Sequence, residues 1–254
     1  MPKHKTHHID PKHDFYPLVL VPGDPARAMA IATAQLEEPR MFSHRRGLWG
    51  YSGRTPVTDI GGGTGFVVQS TGMGGPSAAI ICEELAMLGA EVLLRVGTCG
   101  AIDPNLQAGD IVVVDQARCD DGTSQALGAG HYISADGPLT QALFKQVASL
   151  GGERGTHRGR IASVDLFYDP EAGEREKRLL RDGCLAVEME AATVFAVAAR
   201  HGMKAACVLA VTDELHHPER PRLTHDKIVE LGDLIGGVAV RAVESLFSTA
   251  NPDA

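Results

Sequence analysis

Two carboxylates flank a thioether in Glu188-Met189-Glu190, where the apolar run Ala191 to Ala198 begins. An ionised glutamate is rarely buried alone, because something must replace the hydration it gives up. Sugar hydroxyls can do so, each donating to a carboxylate oxygen. The alternative is that both glutamates sit in the first helical turn, where the helix dipole favours negative charge. Arg27 and Arg95 pose the opposite question. Asp24-Pro25 reads as an N-cap and first helical residue, so Arg27 falls where positive charge opposes the dipole. An anion at that helix N-terminus, beside Gly23, would make the placement favourable. Arg95 interrupts the apolar strand Val92 to Val96 and needs a negative partner. Thr98 adds a hydroxyl donor, and Gly97 and Gly100 clear space for backbone amides. Such a set suits phosphate. Asp213 follows the apolar run Val208 to Val211 and reads either as a cap after a strand or as a general acid.

Apolar runs of strand length alternate with helix-length segments, which predicts an α/β layered domain. Strands are expected over Leu18 to Val21, Phe66 to Ser70, Val92 to Val96, Ile111 to Asp115, Ile161 to Ser163 and Ala206 to Val211. Helices are expected over Pro25 to Leu36, Pro76 to Leu88, Leu139 to Leu150, Glu171 to Arg181, Glu190 to His201 and His225 to Phe247. Nearly continuous apolar strands imply cover on both faces. The carboxyl ends at Gly23, Gly72, Gly97 and Thr212 point to one crevice, as in open α/β sheets. No repeat or linker divides the chain.

The 254 residues can bury a large core. A net charge of −8 argues against a nucleic-acid or anionic-membrane surface while permitting a local basic pocket. The five cysteines are widely spaced and lack Cys-x-x-Cys, so neither a disulfide framework nor a zinc site is expected, and a reducing cytoplasm fits. The N-terminus lacks the apolar core of a signal peptide, and no segment has the length of a membrane span. Its early histidines follow no metal-ligand pattern. There is no Gly-Lys-Ser/Thr ending of a triphosphate loop, and Gly72-Met73-Gly74-Gly75 lacks the full dinucleotide spacing.

Several ordered segments carry a family resemblance: Pro22-Gly23-Asp24-Pro25-x-Arg27, His44-Arg45-Arg46-Gly47-Leu48-Trp49-Gly50 and Thr71-Gly72-Met73-Gly74. They continue with Arg95-Val96-Gly97-Thr98-Cys99-Gly100-Ala101, Ser163 to Tyr168, Val187 to Ala191 and Thr212-Asp213. From His8 to Phe247 the chain resembles the hexameric bacterial purine nucleoside phosphorylases, in the superfamily that also holds uridine and methylthioadenosine phosphorylases. The resemblance implies a single-domain three-layer α/β/α sandwich with a central mixed sheet. It places an N-terminal arm at 1–14, the domain at 15–249 and a tail at 250–254. It implies phosphorolysis of purine (deoxy)ribonucleosides in salvage, giving free base and (deoxy)ribose 1-phosphate, with inorganic phosphate as co-substrate and no cofactor or metal.

By the same resemblance, Gly23, Arg27, Arg95 and Thr98 match phosphate ligands, and Arg46 matches one contributed by a neighbouring subunit. Met73, Glu188, Met189 and Glu190 match ribose contacts. His8, with His7 as an alternative, matches a residue donated across a dimer to the 5′ hydroxyl. The implied assembly is a hexamer built as a trimer of dimers. Phe167 would stack on the base, Cys99, Gly100 and Val187 would line its pocket, and Asp213 would protonate it. Relatives place an arginine past this aspartate where the present chain has Asp226, which leaves Arg220 or Arg222 to assist. Uridine phosphorylases carry a Gln and an Arg after the Phe-Tyr pair; here no Gln follows Phe167-Tyr168 and Arg175 is displaced, so purine is favoured. A non-catalytic nucleoside sensor on the same fold is the reading from a different class.

Overall fold

The structure, a computed structural model, describes residues 6–57, 63–152 and 154–247. The first five residues of the arm and the 250–254 tail, with the domain's end at 249, lie outside the described residues. Strand β1 (Leu18–Pro22) is apolar and buried throughout. It feeds α1 (Pro25–Gln35), where the Asp24 carboxylate accepts from the Ala26 amide at 2.8 Å, the cap expected from Asp-Pro. Strands β2 (Glu37–Ser43) and β3 (Gly50–Arg54) flank a tight turn at Arg45–Gly47. Neither has the apolar run that marks a covered strand, which is why sequence periodicity passes over them.

The chain continues through β4 (Gly65–Gln69), α2 (Gly75–Leu88), β5 (Val92–Ala101) and β6 (Ile111–Asp120). Next come a short α3 (Gly122–Ala126), β7 (Tyr132–Ser134), α4 (Gly137–Ala148) and β8 (Thr156–Val164). Helix α5 (Ala172–Arg181), β9 (Cys184–Glu188), α6 (Ala191–His201), β10 (Lys204–Glu214) and α7 (His225–Phe247) complete it.

The strands form one mixed sheet in the order β10-β6-β8-β9-β5-β1-β4-β3-β2, with β7 beside β6. A further pairing of β10 with β5 closes β5, β10, β6, β8 and β9 into a ring. Two hydrophobic cores lie on opposite sides. One gathers Ile81 and Leu85 of α2 with Val194 and Phe195 of α6; the other gathers Ile31 of α1, Leu143 of α4 and Val238 of α7. This is the expected three-layer α/β/α arrangement, with half of its sheet curled shut.

Ring closure changes where some residues sit. Strand β5 runs on through Gly97–Ala101, because Gly100 and Ala101 pair with Val187 and Ala186 of β9. Strand β10 passes a register shift after Val211 and still pairs Asp213 with Gly100. Residues 97–101 and 212–214, beyond the expected strand ends, are therefore strand. Likewise Glu188 ends β9 and Glu190 is the N-cap of α6, so neither lies in the first helical turn.

The described part of the arm has no regular element but is held down. Ile9 is fully buried, and the buried Glu84 of α2 accepts from the amides of His7, His8 and Ile9 at 2.7–3.0 Å.

Candidate active site

Parallel pairing of β5 with β1 and β10 puts their carboxyl ends together, with Val21 and Cys207 on either side of Arg95. Arg95 is 3% exposed. Its Nε donates to Glu188 Oε2 at 2.8 Å and its Nη2 lies 2.5 Å from Glu190 Oε2. Among the described residues, no ion pair engages Nη1. Burial alone would weaken the guanidinium's hold on its proton, but Glu190 and Glu188 more than offset this and raise its pKa. Gly97 makes the geometry possible: a Cβ there would stand 2.8 Å from Arg95 Nη2.

The two glutamates have different surroundings. Glu188 is saturated. Its Oε2 also accepts from the amides of Glu190 and Ala191, both at 2.9 Å, and its Oε1 from the Ser163 hydroxyl. The same hydroxyl accepts from the Ala192 amide at 2.9 Å, and the β8–β9 register sets Ser163 opposite Glu188. Burial pushes the Glu188 pKa up against the pull of Arg95. These contacts tie Glu188 to the start of α6 and to Arg95. Among the described residues, Glu190 accepts only from the Gly74 amide, at 2.5 Å, besides its contact with Arg95. Spare acceptor capacity belongs to Glu190.

Gly74 is the N-cap of α2, with φ of +83°, at the end of the β4 loop. That loop is stitched to the β1 loop by bonds from the Thr71 amide to Pro22 O and from the Gly72 amide to Gly23 O, at 2.9 and 3.0 Å. Gly23 and Met73 are thereby drawn toward Glu190. Met73 is 87% exposed, a large apolar side chain beside the crevice.

Arg27 lies close enough to Arg95 and Glu190 for both to perturb it. Burial lowers its pKa first, partly offset by Asp24. It is half-buried and makes no ion pair or side-chain hydrogen bond among the described residues, and its stem packs on Gly232 of α7. A cation in that position is ready for an anion. The Thr98 hydroxyl, half-buried on β5, likewise has no hydrogen-bond partner among the described residues.

Asp213 stands over Gly100 at the other end of the crevice. Its Oδ2 accepts from the Thr212 hydroxyl at 2.7 Å and its Oδ1 from Arg222 Nη1 at 3.0 Å. Arg222 also lies over the Phe167 ring, 6.0 Å from its centroid. Arg220 does not reach Asp213; it turns to Glu176 of α5, so of the two candidates only Arg222 makes the contact. Phe167 is 59% exposed. Val187 and Met189 share an apolar wall with Leu215, and Gly100 is needed because a Cβ there would lie 2.6 Å from Leu215 Cδ1. Cys99 turns its side chain away from this wall. Its thiol is buried in the core and directed to Ala210 O, which leaves only its backbone near the site.

Two expected residues fall elsewhere. His8 bonds Glu84 through Nδ1 at 2.8 Å, ten helical positions beyond Gly74, or roughly 15 Å along α2. Arg46 is exposed in its turn with φ of +56° and has no partner among the described residues. Ser163, Gly74 and Leu215 belong to the site without having drawn a role from sequence. Only Ser163 carried a signal, a hydroxyl closing an apolar strand. No cluster suited to a metal ion occurs among the described residues.

Fold and site together define an α/β protein in which Arg27, Arg95, Glu190 and Asp213 gather near the carboxyl ends of its strands. The sequence profile of the phosphorylase superfamily matches residues 17–248, and the chain belongs to that superfamily. It is 36% identical to a DeoD-type purine nucleoside phosphorylase of Jannaschia sp., over 80% of this chain and 84% of that protein. It is also 36% identical to a guanosine phosphorylase of Halorubrum lacusprofundi, over 83% and 84% of the two chains. Among solved structures, a uridine phosphorylase from Vibrio fischeri superposes with a TM-score of 0.78 at 25% identity, covering 94% of this chain and 95% of the other.

Proposed function

We propose that this chain catalyses phosphorolysis of purine (deoxy)ribonucleosides, releasing free base and (deoxy)ribose 1-phosphate. The observation that carries this reading is the buried Arg95, shared between Glu188 and Glu190 beside Arg27, which has no ion pair among the described residues. Phosphate would bind Arg27, Arg95, Thr98 and the backbone at Gly23. The ribose would lie on Glu190, Met73 and Met189, with its hydroxyls donating to the Glu190 carboxylate. The base would stack on Phe167 against Val187 and the backbone of Cys99 and Gly100.

Chemistry follows from charge placement. As the bond between C1′ and the purine nitrogen breaks, positive charge grows on the sugar and negative charge on the base. The phosphate anion beneath the ring stabilises the first and then bonds to C1′. Asp213 gives its proton to the purine's other imidazole nitrogen, and Arg222 stabilises the carboxylate left behind. No cofactor is required beyond the phosphate consumed. The unbridged cysteines suit a reducing compartment, and we place the reaction in the cytoplasm.

The assembly belongs to the same proposal: a homo-oligomer, a hexamer built as a trimer of dimers, in which His8 and Arg46 complete a neighbour's site. Both lie away from their own crevice, and Arg45 ties them together by bonding His7 O and Asp10. A uridine preference is disfavoured because Arg175 is committed to Asp169, at 2.5 Å, and to Leu166 O.

Incubation with inosine or guanosine and phosphate should yield base and ribose 1-phosphate, and omitting phosphate should abolish turnover. Free ribose as product, or inosine binding without turnover at saturating phosphate, would overturn the reading. Asp213→Asn should impair adenosine more than inosine, because a 6-oxo base spreads its negative charge onto oxygen and depends less on the proton. Equal losses for the two would remove Asp213 from the role of acid.

A further inference from the structure

Two loops wall the base end of the crevice, and neighbouring residues of α5 brace both. Arg175 holds the 166–169 loop by Asp169 and the Leu166 carbonyl, which fixes the backbone carrying Phe167. Glu176, one residue on, holds the loop that returns from β10 to α7. Its Oε1 and Oε2 accept from Arg220 Nη1 and Nη2 at 3.2 and 2.8 Å, a two-pronged contact. That returning loop folds back as a short hairpin, with the Glu214 amide bonded to Pro221 O and the Leu223 amide to Thr212 O. Arg222 sits within this hairpin and meets Asp213.

The tip of the hairpin is not a relaxed turn. Arg220 has φ of +45°, a left-handed conformation that residues other than glycine rarely adopt; its amide donates to His217 O at 3.0 Å, and its side chain adds the contact with Glu176. Glu176 is the only acid paired with it among the described residues, and its side chain is only 12% exposed. We propose that Glu176 is a positioning residue: through Arg220 it fixes the hairpin so that Arg222 stays on Asp213 and over Phe167. Glu176 touches neither substrate nor acid, and its effect passes through the backbone between residues 220 and 222. The inference rests on the phosphorolytic reading and adds a determinant of base protonation to it.

The test uses the full chain at saturating phosphate with adenosine and inosine as separate substrates. Glu176→Gln removes the charge and keeps the shape. It should lower kcat for adenosine about threefold to fivefold, the range an ion pair of this exposure supports, while KM moves less than about twofold. Inosine should lose less, because its base needs the proton less. Arg222→Met should give the same pattern more strongly. Each charge reversal, Glu176→Arg or Arg220→Glu, should reproduce the loss, and the two combined should restore at least about half of the adenosine rate on the logarithmic scale.

An active wild type whose Glu176→Gln variant keeps the adenosine kcat, or loses adenosine and inosine turnover equally, overturns this proposal alone. So does a double reversal that restores nothing. A wild type that produces no ribose 1-phosphate from any purine nucleoside overturns the parent reading, and this one with it.

Discussion

Replacing Glu188 by Gln should destabilise the protein more than replacing Glu190 by Gln, although only Met189 separates them. Glu188 accepts from Arg95, Ser163 and the amides of Glu190 and Ala191 in a site where its side chain is 1% exposed. A glutamine keeps one acceptor and turns a donor toward groups that already donate. It also leaves Arg95 with Glu190 as its one counter-ion. Breaking a buried pair of this kind costs about 3–5 kcal/mol, and the retained acceptor puts the expected loss near 3. Against a total stability of about 5–15 kcal/mol, that is a large fraction. Glu190→Gln also loosens Arg95, but it keeps an acceptor for the Gly74 amide and fewer donors depend on it, so it should cost less, about 2 kcal/mol. Its kcat/KM should fall about 30-fold, the equivalent of one charged hydrogen bond of about 2 kcal/mol to the ribose. Urea unfolding can be followed by Trp49, the single tryptophan, at fixed protein concentration, with the midpoint shift read at constant slope. Glu188→Gln within about 1 kcal/mol of wild type, with activity lost as in Glu190→Gln, would refute the division into anchor and ligand.

Gly97→Ala should raise the KM for phosphate by about tenfold or more at nearly unchanged fold content, since its Cβ would stand 2.8 Å from Arg95 Nη2; an unchanged KM would mean Arg95 does not hold the anion. Burial works against the ionised Glu84, but bonds from the Ile9, His7 and His8 amides win and lower its pKa. The arm's attachment should therefore be complete above the ordinary glutamate value of 4.5 and be lost as pH falls through the lowered folded value. Hydrogen-exchange protection at the amides of residues 7–9 reports this, and Glu84→Gln should weaken it at neutral pH. Burial pushes the Cys184 thiol up to about 11 and the Cys82 thiol to about 12, and all five cysteines are buried. None should react with a thiol reagent at pH 8 until denaturant is added; rapid labelling of the folded protein would contradict that burial.

Continuous burial makes β1, β4 and the first half of β5 readable, because strands covered on both faces are apolar without alternation. Asp24-Pro25 announced α1 by local chemistry alone. Strands β2 and β7 stay hidden because they are exposed, and β9 because alternation over five residues is too short a signal. The site divides along similar lines. Arg95 and the Glu188–Glu190 pair stood out as charges in apolar surroundings, but which glutamate is spoken for depends on Ser163, brought alongside by a β8–β9 register that no local pattern encodes. The choice between Arg220 and Arg222 is also a matter of folding back: a short hairpin turns one toward Asp213 and the other toward α5. Strand propensity gave no warning that Gly97 to Ala101 continue β5, since ring closure, not composition, supplies their partners.

Closing half of the sheet into a ring leaves β2 as its long free margin, and that margin is unfit to receive another strand. Glu37, Glu38 and Arg40 charge it, Pro39 removes an amide donor, and Glu38 at φ of +41° sits where the β2–β3 register slips. A second polypeptide approaching this side finds a bent, charged ribbon missing one hydrogen-bond donor. Along this margin, copies of the chain are poorly suited to join by extending one sheet into the next. The same margin guards the molecule against open-ended strand stacking, the failure to which a large β-sheet is otherwise exposed.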